Sequence, residues 1–255
     1  MKQFERPMAV YADGEAFAPG ARFRIEGKTA IGLFPSLFLL TCRNLREADY
    51  LRLERTREIS VTREESRVAY GMVSDVFRET IAEGTITTAA FSLGLDLWES
   101  VISVSVEGGT TVSETVRRLL EASGTGIPLL SWPGEDPAVS RGQAYFGRGA
   151  ECVETALNKA GARGYLTAAG ICVVPKEALP VRLRLTEKDL ADAPAFADGG
   201  RKVILRTTVS GFQPGEEAEV EYGRRVIRGM ILERRIEADN ADGPWRTELL
   251  MEARI

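Results

Sequence analysis

The chain has 255 residues, 44% hydrophobic and 27% charged, which suffices for one large domain or two to three smaller ones and argues against wholesale disorder. A net charge of −4 gives no global basic footprint, so tight, salt-sensitive nucleic-acid binding is not the expected activity. There is no histidine, which removes Ser-His-Asp and Cys-His catalysis, histidine metal sites and any histidine pH switch together.

Residues 1 to 106 read as β-rich. "ARFRIEG" sets Phe23 and Ile25 against Arg22, Arg24 and Glu26, the period of a half-buried strand. "SLFLLTCRN" is apolar on both parities and predicts a more fully buried strand. It lies in the most hydrophobic stretch, "AIGLFPSLFLLTC" (30–42), which is short of the ~20 residues of a membrane span and is broken by Pro35. "LREADYLRLERT" (45–56) fits a short helix or an irregular crossing. "SRVAYGMVSDVFRET" and "GTITTAAFSLGLDL" predict long strands joined by "IAEG". No signal peptide is read at the N-terminus, where no apolar core follows "MKQFERP".

The pattern changes at residue 107. Thr111 and Glu114 form a T-x-x-E capping box, and Val112, Val116, Leu119 and Leu120 line one helical face before Gly124. A Pro/Gly-rich loop leads to a second helix from about Gly149 to Ala160, with Gly161 as its stop. "GYLTAAGICVVP" reads as a hairpin. Residues 107–185 are therefore expected to be a small α+β module between β segments. "TEKDLADAPAFADGG" (186–200) reads as a polar linker, and 186–255 returns to strands. In the last strand Trp245, Thr247, Leu249, Met251, Ala253 and Ile255 face one way, and Arg246, Glu248, Glu252 and Arg254 the other. No short-period repeat is present, only a coarse symmetry of β, α+β, β.

Candidate chemistry is sparse. Cys42, Cys152 and Cys172 sit in apolar contexts at spacings that fit neither zinc nor a redox pair, and read as small buried hydrophobes. "GRGAECV" (147–153) could cradle a phosphate at a helix start, but it lacks the third glycine of a dinucleotide fingerprint and reads as a turn. "ADNADG" lacks the D-x-D-x-D-G spacing and distal Glu of a calcium loop, and its Asp, Asn and Gly suit a tight turn. The paired acids of "REES" (63–66) and "PGEEAEVE" (214–221) have no apolar frame to raise a pKa. Arg224, Arg225, Arg228, Arg234 and Arg235 are expected to pair with the glutamates of 216–221 across a sheet or subunit boundary.

"TVSETVRRLLEASGTGIP", "GRGAECVETALNKAGARGYLTAAGICVVP" and "RRVIRGMILERRIEADNADGPWRTELLMEARI" follow one another in an order that resembles the hub proteins of bacteriophage tail baseplates. The most distinctive element is a D-N-x-x-G-x-W segment. It is matched by Gly229, Asp239, Asn240, Gly243, Trp245 and Thr247, with Ile236 and Leu249, while Ile236-Glu237-Ala238 stand where relatives often carry His.

The resemblance implies a mainly β chain with α+β, in which two tail-tube-like β-barrel units (1–106 and 186–255) flank the module 107–185. It implies a homotrimer with six barrels around a channel, joining a tail tube or distal tail protein to a spike or tip protein. DNA would pass without specific binding, and no membrane anchor is expected. The site would be the virion tail, after synthesis in the bacterial host cytoplasm. Asp239, Asn240, Gly243 and Trp245 would be a structural hairpin tip. Trp245 is expected to pack within the second barrel and bind no ligand. Larger hubs carry hydrolase domains after the second barrel; with the chain ending at Ile255, none is expected. No catalytic, cofactor or metal site is expected.

Overall fold

The structure, a computed structural model, describes residues 8–63, 66–175, 181–209, 211–241 and 245–254. The chain divides into two compact units, one of residues 1–29, 36–93 and 181–255 and one of residues 30–35 and 94–180.

The first unit begins with β1 (Met8–Ala12), β2 (Glu15–Ala16), β3 (Phe23–Ala30) and β4 (Ser36–Arg43). Helix α1 (Glu47–Arg55) follows, then β5 (Glu58–Arg63), β6 (Ser66–Ile81) and β7 (Gly84–Leu93). The second unit carries α2 (Leu95–Glu99), β8 (Val101–Val106), α3 (Val112–Ser123), β9 (Leu129–Ser131), β10 (Gln143–Arg148), α4 (Gly149–Lys159), β11 (Ala162–Thr167) and β12 (Gly170–Pro175). The chain then completes the first unit with β13 (Leu183–Thr186), β14 (Ala195–Ala197), β15 (Lys202–Thr207), β16 (Glu217–Tyr222), β17 (Arg225–Asp239) and β18 (Trp245–Arg254).

The mainly β expectation with an α+β part holds. Among the described residues no closed barrel is seen. Thirteen strands share one sheet, whose pairing path runs β14-β15-β18-β17-β3-β4-β7-β6-β5-β1-β2, with β16 and β13 branching from β17. Among the described residues this path is open at both ends. The reason lies in β17, which pairs with β16 over its first half and lies against β3 over its second. Its hydrogen bonds thus join the two β segments instead of closing one of them.

The two segments repeat one plan. The hairpin β6–β7 has a register shift between Val73 and Asp75, and the hairpin β17–β18 has one between Ile231 and Glu233. β5 pairs with the first half of β6 as β16 pairs with that of β17, and Met72 and Met230 each stand opposite a glutamate, Glu58 and Glu217. β4 and β15 lie on the far sides of β7 and β18, and β3 and β14 lie beyond them. The plan departs at its ends, where β1 runs antiparallel to β5 and β13 parallel to β16.

Two apolar clusters fill this unit. One holds Phe17, Phe23, Ile25, Phe38, Leu40, Leu53, Val61 and Phe91; the other holds Val203, Leu205, Phe212, Val220, Ile231, Leu249 and Met251. Trp245, expected in the second, is buried in the first, beside Ile236 and Ala238. The bulge explains the change of allegiance: after Leu232 the strand has crossed to the β3 side, and the partner strand β18 starts there too. Arg63 covers the indole at 4.3 Å from the ring centroid.

Arg234, expected to pair with the 216–221 glutamates, is 4% exposed and donates instead to the carbonyls of Phe212 at 3.0 Å and Val68 at 2.7 Å. Burial pulls its guanidinium down to about 10. Arg235 pairs with Glu233. Of the expected pairs, Arg228–Glu219 forms. Glu216, Glu217 and Glu219 also take Arg182, Arg254 and Arg184, at 3.0, 2.9 and 3.3 Å.

In the second unit, the Thr111 hydroxyl accepts from the Glu114 amide at 3.3 Å and Gly124 takes φ 67°, the left-handed stop expected for α3. Asp136, from the loop, adds a second cap by accepting from the Ser113 amide and hydroxyl. α4 and the hairpin β11–β12 fall where expected. Gly149 opens α4 where a Cβ would lie 2.3 Å from Ser100 Oγ, so close packing accounts for that glycine. The short connection 30–35 belongs here as well: Gly32 N donates to Gly164 O at 2.6 Å, Leu33 N to Glu154 Oε1 at 2.6 Å, and Leu33 is fully buried.

Two expectations about texture change. The stretch 186–200 is more than a linker, for it forms a capping box between Thr186 and Asp189 and the strand β14. β4 is buried on one face only, leaving Leu37 54% and Leu39 38% exposed.

Trp245→Ala is expected to cost about 3–5 kcal/mol, as for a large aromatic removed from a packed core. Because the indole sits in the first cluster, the loss should appear as cooperative destabilisation of the whole sheet in urea unfolding. A stability change near zero would overturn this placement.

Candidate functional site

The hairpin β17–β18 carries the residues singled out by the motif. Gly229 is buried opposite Ala253, and a Cβ there would lie 2.4 Å from the Glu252 carbonyl oxygen, so only glycine lets the strands meet. Asp239 accepts from the Ala241 amide at 2.8 Å, a turn held by its own side chain, and its other oxygen meets Arg22 at 3.4 Å. Asn240 accepts from Phe23 N at 2.8 Å, donates to Ala21 O at 2.9 Å and donates its own backbone N–H to Phe23 O at 3.1 Å. Thr247 is buried between Ile236 and Thr207. Gly243, with Asp242 and Pro244, lies outside the described residues.

These residues meet at a seam rather than in a cleft. Asn240 mimics a further strand residue and locks the start of β3 onto the end of β17. Along the seam Arg24 meets Glu237 at 2.9 Å and Lys28 meets Glu233 at 2.5 Å, pairings that fix β3 antiparallel to β17. Arg246 holds the other oxygen of Glu237, and Arg206 holds Glu248 at 2.9 Å. An open groove of about 600 Å³ runs over this charge lattice. Its glutamates are already neutralised by cations. Burial raises the Glu233 pKa, but hydrogen bonds from Lys28 and Arg235 outweigh it and leave the carboxyl below its ordinary range. Such a group stays ionised near neutral pH, the opposite of what a general acid needs.

The same outer face changes character beyond β3. Leu37 and Leu39 on β4, Ala90 on β7, and Met72 and Phe77 on β6 form an apolar strip, with Met72 44% and Phe77 50% exposed. The sequence did carry a signal for it: "SLFLLTC" is apolar on both parities because one parity faces the core and the other a second surface. Phe196, 53% exposed on β14, lies in the stretch 186–200 that reads in sequence as a polar linker.

Cys42 and Cys152 are buried and Cys172 half-buried; burial pushes the Cys42 thiol up to about 12, far from a reactive thiolate. Among the described residues no cluster of three or more Cys, Asp or Glu could hold a metal ion, and no helix is long and apolar enough to cross a membrane.

No protein-family model and no curated protein sequence matches the chain. Solved structures do. A tail protein from Neisseria meningitidis MC58 is similar over 97% of this chain and 96% of its own, with a TM-score of 0.75 at 11% identity. The chain has the fold of phage tail proteins. The 43 kDa tail protein of prophage MuSo2 from Shewanella oneidensis is similar over 96% of both chains, with a TM-score of 0.69 at 9% identity. The E. coli c3393 protein, a type VI secretion component described as structurally similar to the T4 tail proteins gp27 and gp5, is similar over 96% of this chain and 77% of its own, with a TM-score of 0.65 at 12% identity.

Asn240→Ala should cost about 1–3 kcal/mol, since it leaves the Phe23 amide and the Ala21 carbonyl unpaired in a half-buried seam. Hydrogen exchange should accelerate at the amides of β3 and the second half of β17 first; acceleration confined to residues 240 and 241 would count against the clamp.

Glu233 has a depressed folded pKa, so its stabilising contribution is complete above the ordinary carboxylate value of about 4.3 and is lost as pH falls through the folded value. A melting-temperature profile of Glu233→Gln should therefore be flatter than that of the parent on the acid side. Parallel profiles would show that the Lys28 and Arg235 contacts are not formed in solution.

Proposed function

We propose that the protein is the structural hub of a bacteriophage tail baseplate or tail tip, joining the tail tube to the central spike or tip and lining part of the DNA channel. The observation that carries this reading is the internal duplication: two β segments of one plan, joined edge to edge, in a chain whose fold is that of phage tail proteins. A duplicated β unit is what an adaptor between six-fold and three-fold neighbours needs. Three copies present six similar segments to one side and three whole chains to the other.

On this reading the chain is a homotrimer in the virion tail, and the ordered ion pairs and apolar strip serve assembly rather than turnover. The net acidic charge suits a channel wall that repels phosphates and lets DNA pass without capture. Metal ions and cofactors have no part in it. The likeness to the E. coli secretion component supports a second reading, the same hub role in a tail-derived secretion or bacteriocin machine.

Light scattering of the purified protein should give a trimer, and negative-stain images should show a ring with an open centre. A strict monomer at high micromolar concentration, in the presence and absence of tail-tube protein, would overturn the hub reading. A third reading, a carboxylate-dependent hydrolase using Glu and Asp, is tested by a peptidoglycan zymogram: clearing abolished by one Glu or Asp substitution would establish it instead.

A further inference from the structure

The connection 30–35 forms one wall of a pocket within the second unit. The pocket encloses about 200 Å³, and its lining includes Phe34 of the connection, Glu154, Leu157 and Asn158 of α4, and Ala162 and Arg163 of β11. Leu157 and Ala162 are buried and give it an apolar base. Glu154 Oε1 accepts from the Leu33 amide at 2.6 Å, while Oε2 makes no hydrogen bond or ion pair among the described residues. One helical turn on, the side chain of Asn158 is exposed and makes no hydrogen bond among the described residues either.

Phe34 is 55% exposed yet firmly placed. Leu33 before it is fully buried, with its amide on Glu154, and Pro35 after it restricts its backbone to extended angles. Its ring rests on Trp98 at 5.1 Å with a tilt of 41°, and the Arg148 guanidinium lies 4.8 Å from the centre of the Trp98 ring. Gly32 keeps the space open. At φ +109° a Cβ there would lie 3.0 Å from Glu154 Oε1 and 3.3 Å from the Phe34 ring, so any side chain would crowd the carboxylate and the ring at once.

We propose that this pocket binds one ring of a neutral glycan, a function beyond the hub role and independent of it. A sugar ring has a C–H face that packs on an aromatic side chain and a rim of hydroxyls that pair with planar polar groups. Phe34 supplies the aromatic wall. For the hydroxyls, Glu154 Oε2 accepts, Arg163 donates and the Asn158 carboxamide does both. Glu154 and Arg163 carry opposite charges, so the lining has no net charge, which suits an uncharged ligand over a phosphate or an ammonium group. The pocket is open and smaller than the ~300–1,000 Å³ of sites that enclose a whole small molecule. That size fits one ring of a chain continuing into solvent, and Trp98 extends the aromatic surface past Phe34.

A structural role explains only part of this arrangement. Capping the Leu33 amide accounts for one oxygen of Glu154 and for nothing else in the pocket. A phenylalanine that merely secured the connection would turn inward, as Leu33 does. The fixed backbone on either side of Phe34 means that little ordering cost is left for binding. A shallow site with three polar partners still binds weakly, with a dissociation constant on the order of 1 mM. On the hub reading, several copies side by side would add avidity along one polymer.

Saturation-transfer NMR on the purified full chain tests this with two probes, tetra-N-acetylchitotetraose for acetamido sugars and maltotetraose for plain hexoses. Transfer from the protein to the ring C–H protons of at least one is expected, and the one that responds identifies the ring. Phe34→Ala and Asn158→Ala, both changes at exposed positions, should each weaken binding about tenfold while the circular dichroism stays that of the folded chain. Phe77→Ala, which removes an exposed ring from the β unit, should leave binding as it was. No transfer from either sugar at about 10 mM, ten times the expected constant, overturns the proposal. So does binding that either pocket variant leaves intact. A lysine-containing peptide that binds through Phe34 where neither sugar does would also overturn it and assign the pocket to a protein partner. None of these outcomes bears on the trimer and ring expected of a hub, so each reading can fail alone.

Discussion

The whole β unit depends on one strand serving two cores. β17 must point Ile231 into the second apolar cluster and Ile236 and Ala238 into the first, and strict alternation along a strand of 15 residues does not allow both at these positions. The extra residue at Leu232 resets the phase and lets the strand leave β16 and meet β3. Arg234 follows directly, its head group tied to a carbonyl from each β segment. A buried guanidinium is costly to desolvate, and its use here is positional: two carbonyl partners far apart in sequence leave little freedom in how the segments meet.

Much of this was legible in the residues. The capping box at Thr111, the left-handed stop at Gly124 and the alternation of β18 are local signals, and local physics decided them. The identity of Trp245 as a buried structural residue was legible too, but its cluster was not, because bulges leave no sequence mark that alternation alone can read. The same blindness hid Arg234. An arginine beside a glutamate run pairs with it by default, and only the topology shows that carbonyls reach it first. "SLFLLTC" gave the reverse error. Apolar residues on both parities predict burial on both faces, whereas one face is open in the single chain.

The likeness to tail proteins lies in the backbone plan and scarcely in side chains, at about a tenth identity. That pattern is what an edge-to-edge architecture permits. Backbone hydrogen bonds join the strands whatever the side chains, so the seam constrains a few positions strongly, such as Gly229 and Asn240, and leaves most others free to drift. The outer face illustrates the freedom: salt links cover one half of it and aliphatic and aromatic groups the other, on a single continuous sheet.

The connection between β3 and β4 has a bearing on modularity. Residues 94–180 look in sequence like a cassette inserted between two β segments, yet the compact unit they form also takes in residues 30–35. Leu33 is fully buried there, Gly32 bridges to Tyr165, and Phe34 lies 5.1 Å from the ring of Trp98. The cassette is therefore threaded through the host at two separate places. Excising it would strand an aliphatic side chain in a bare loop, and grafting it elsewhere would arrive without its Leu33. A recombination that exchanged residues 94–180 alone would therefore part Leu33 from the unit in which it is buried.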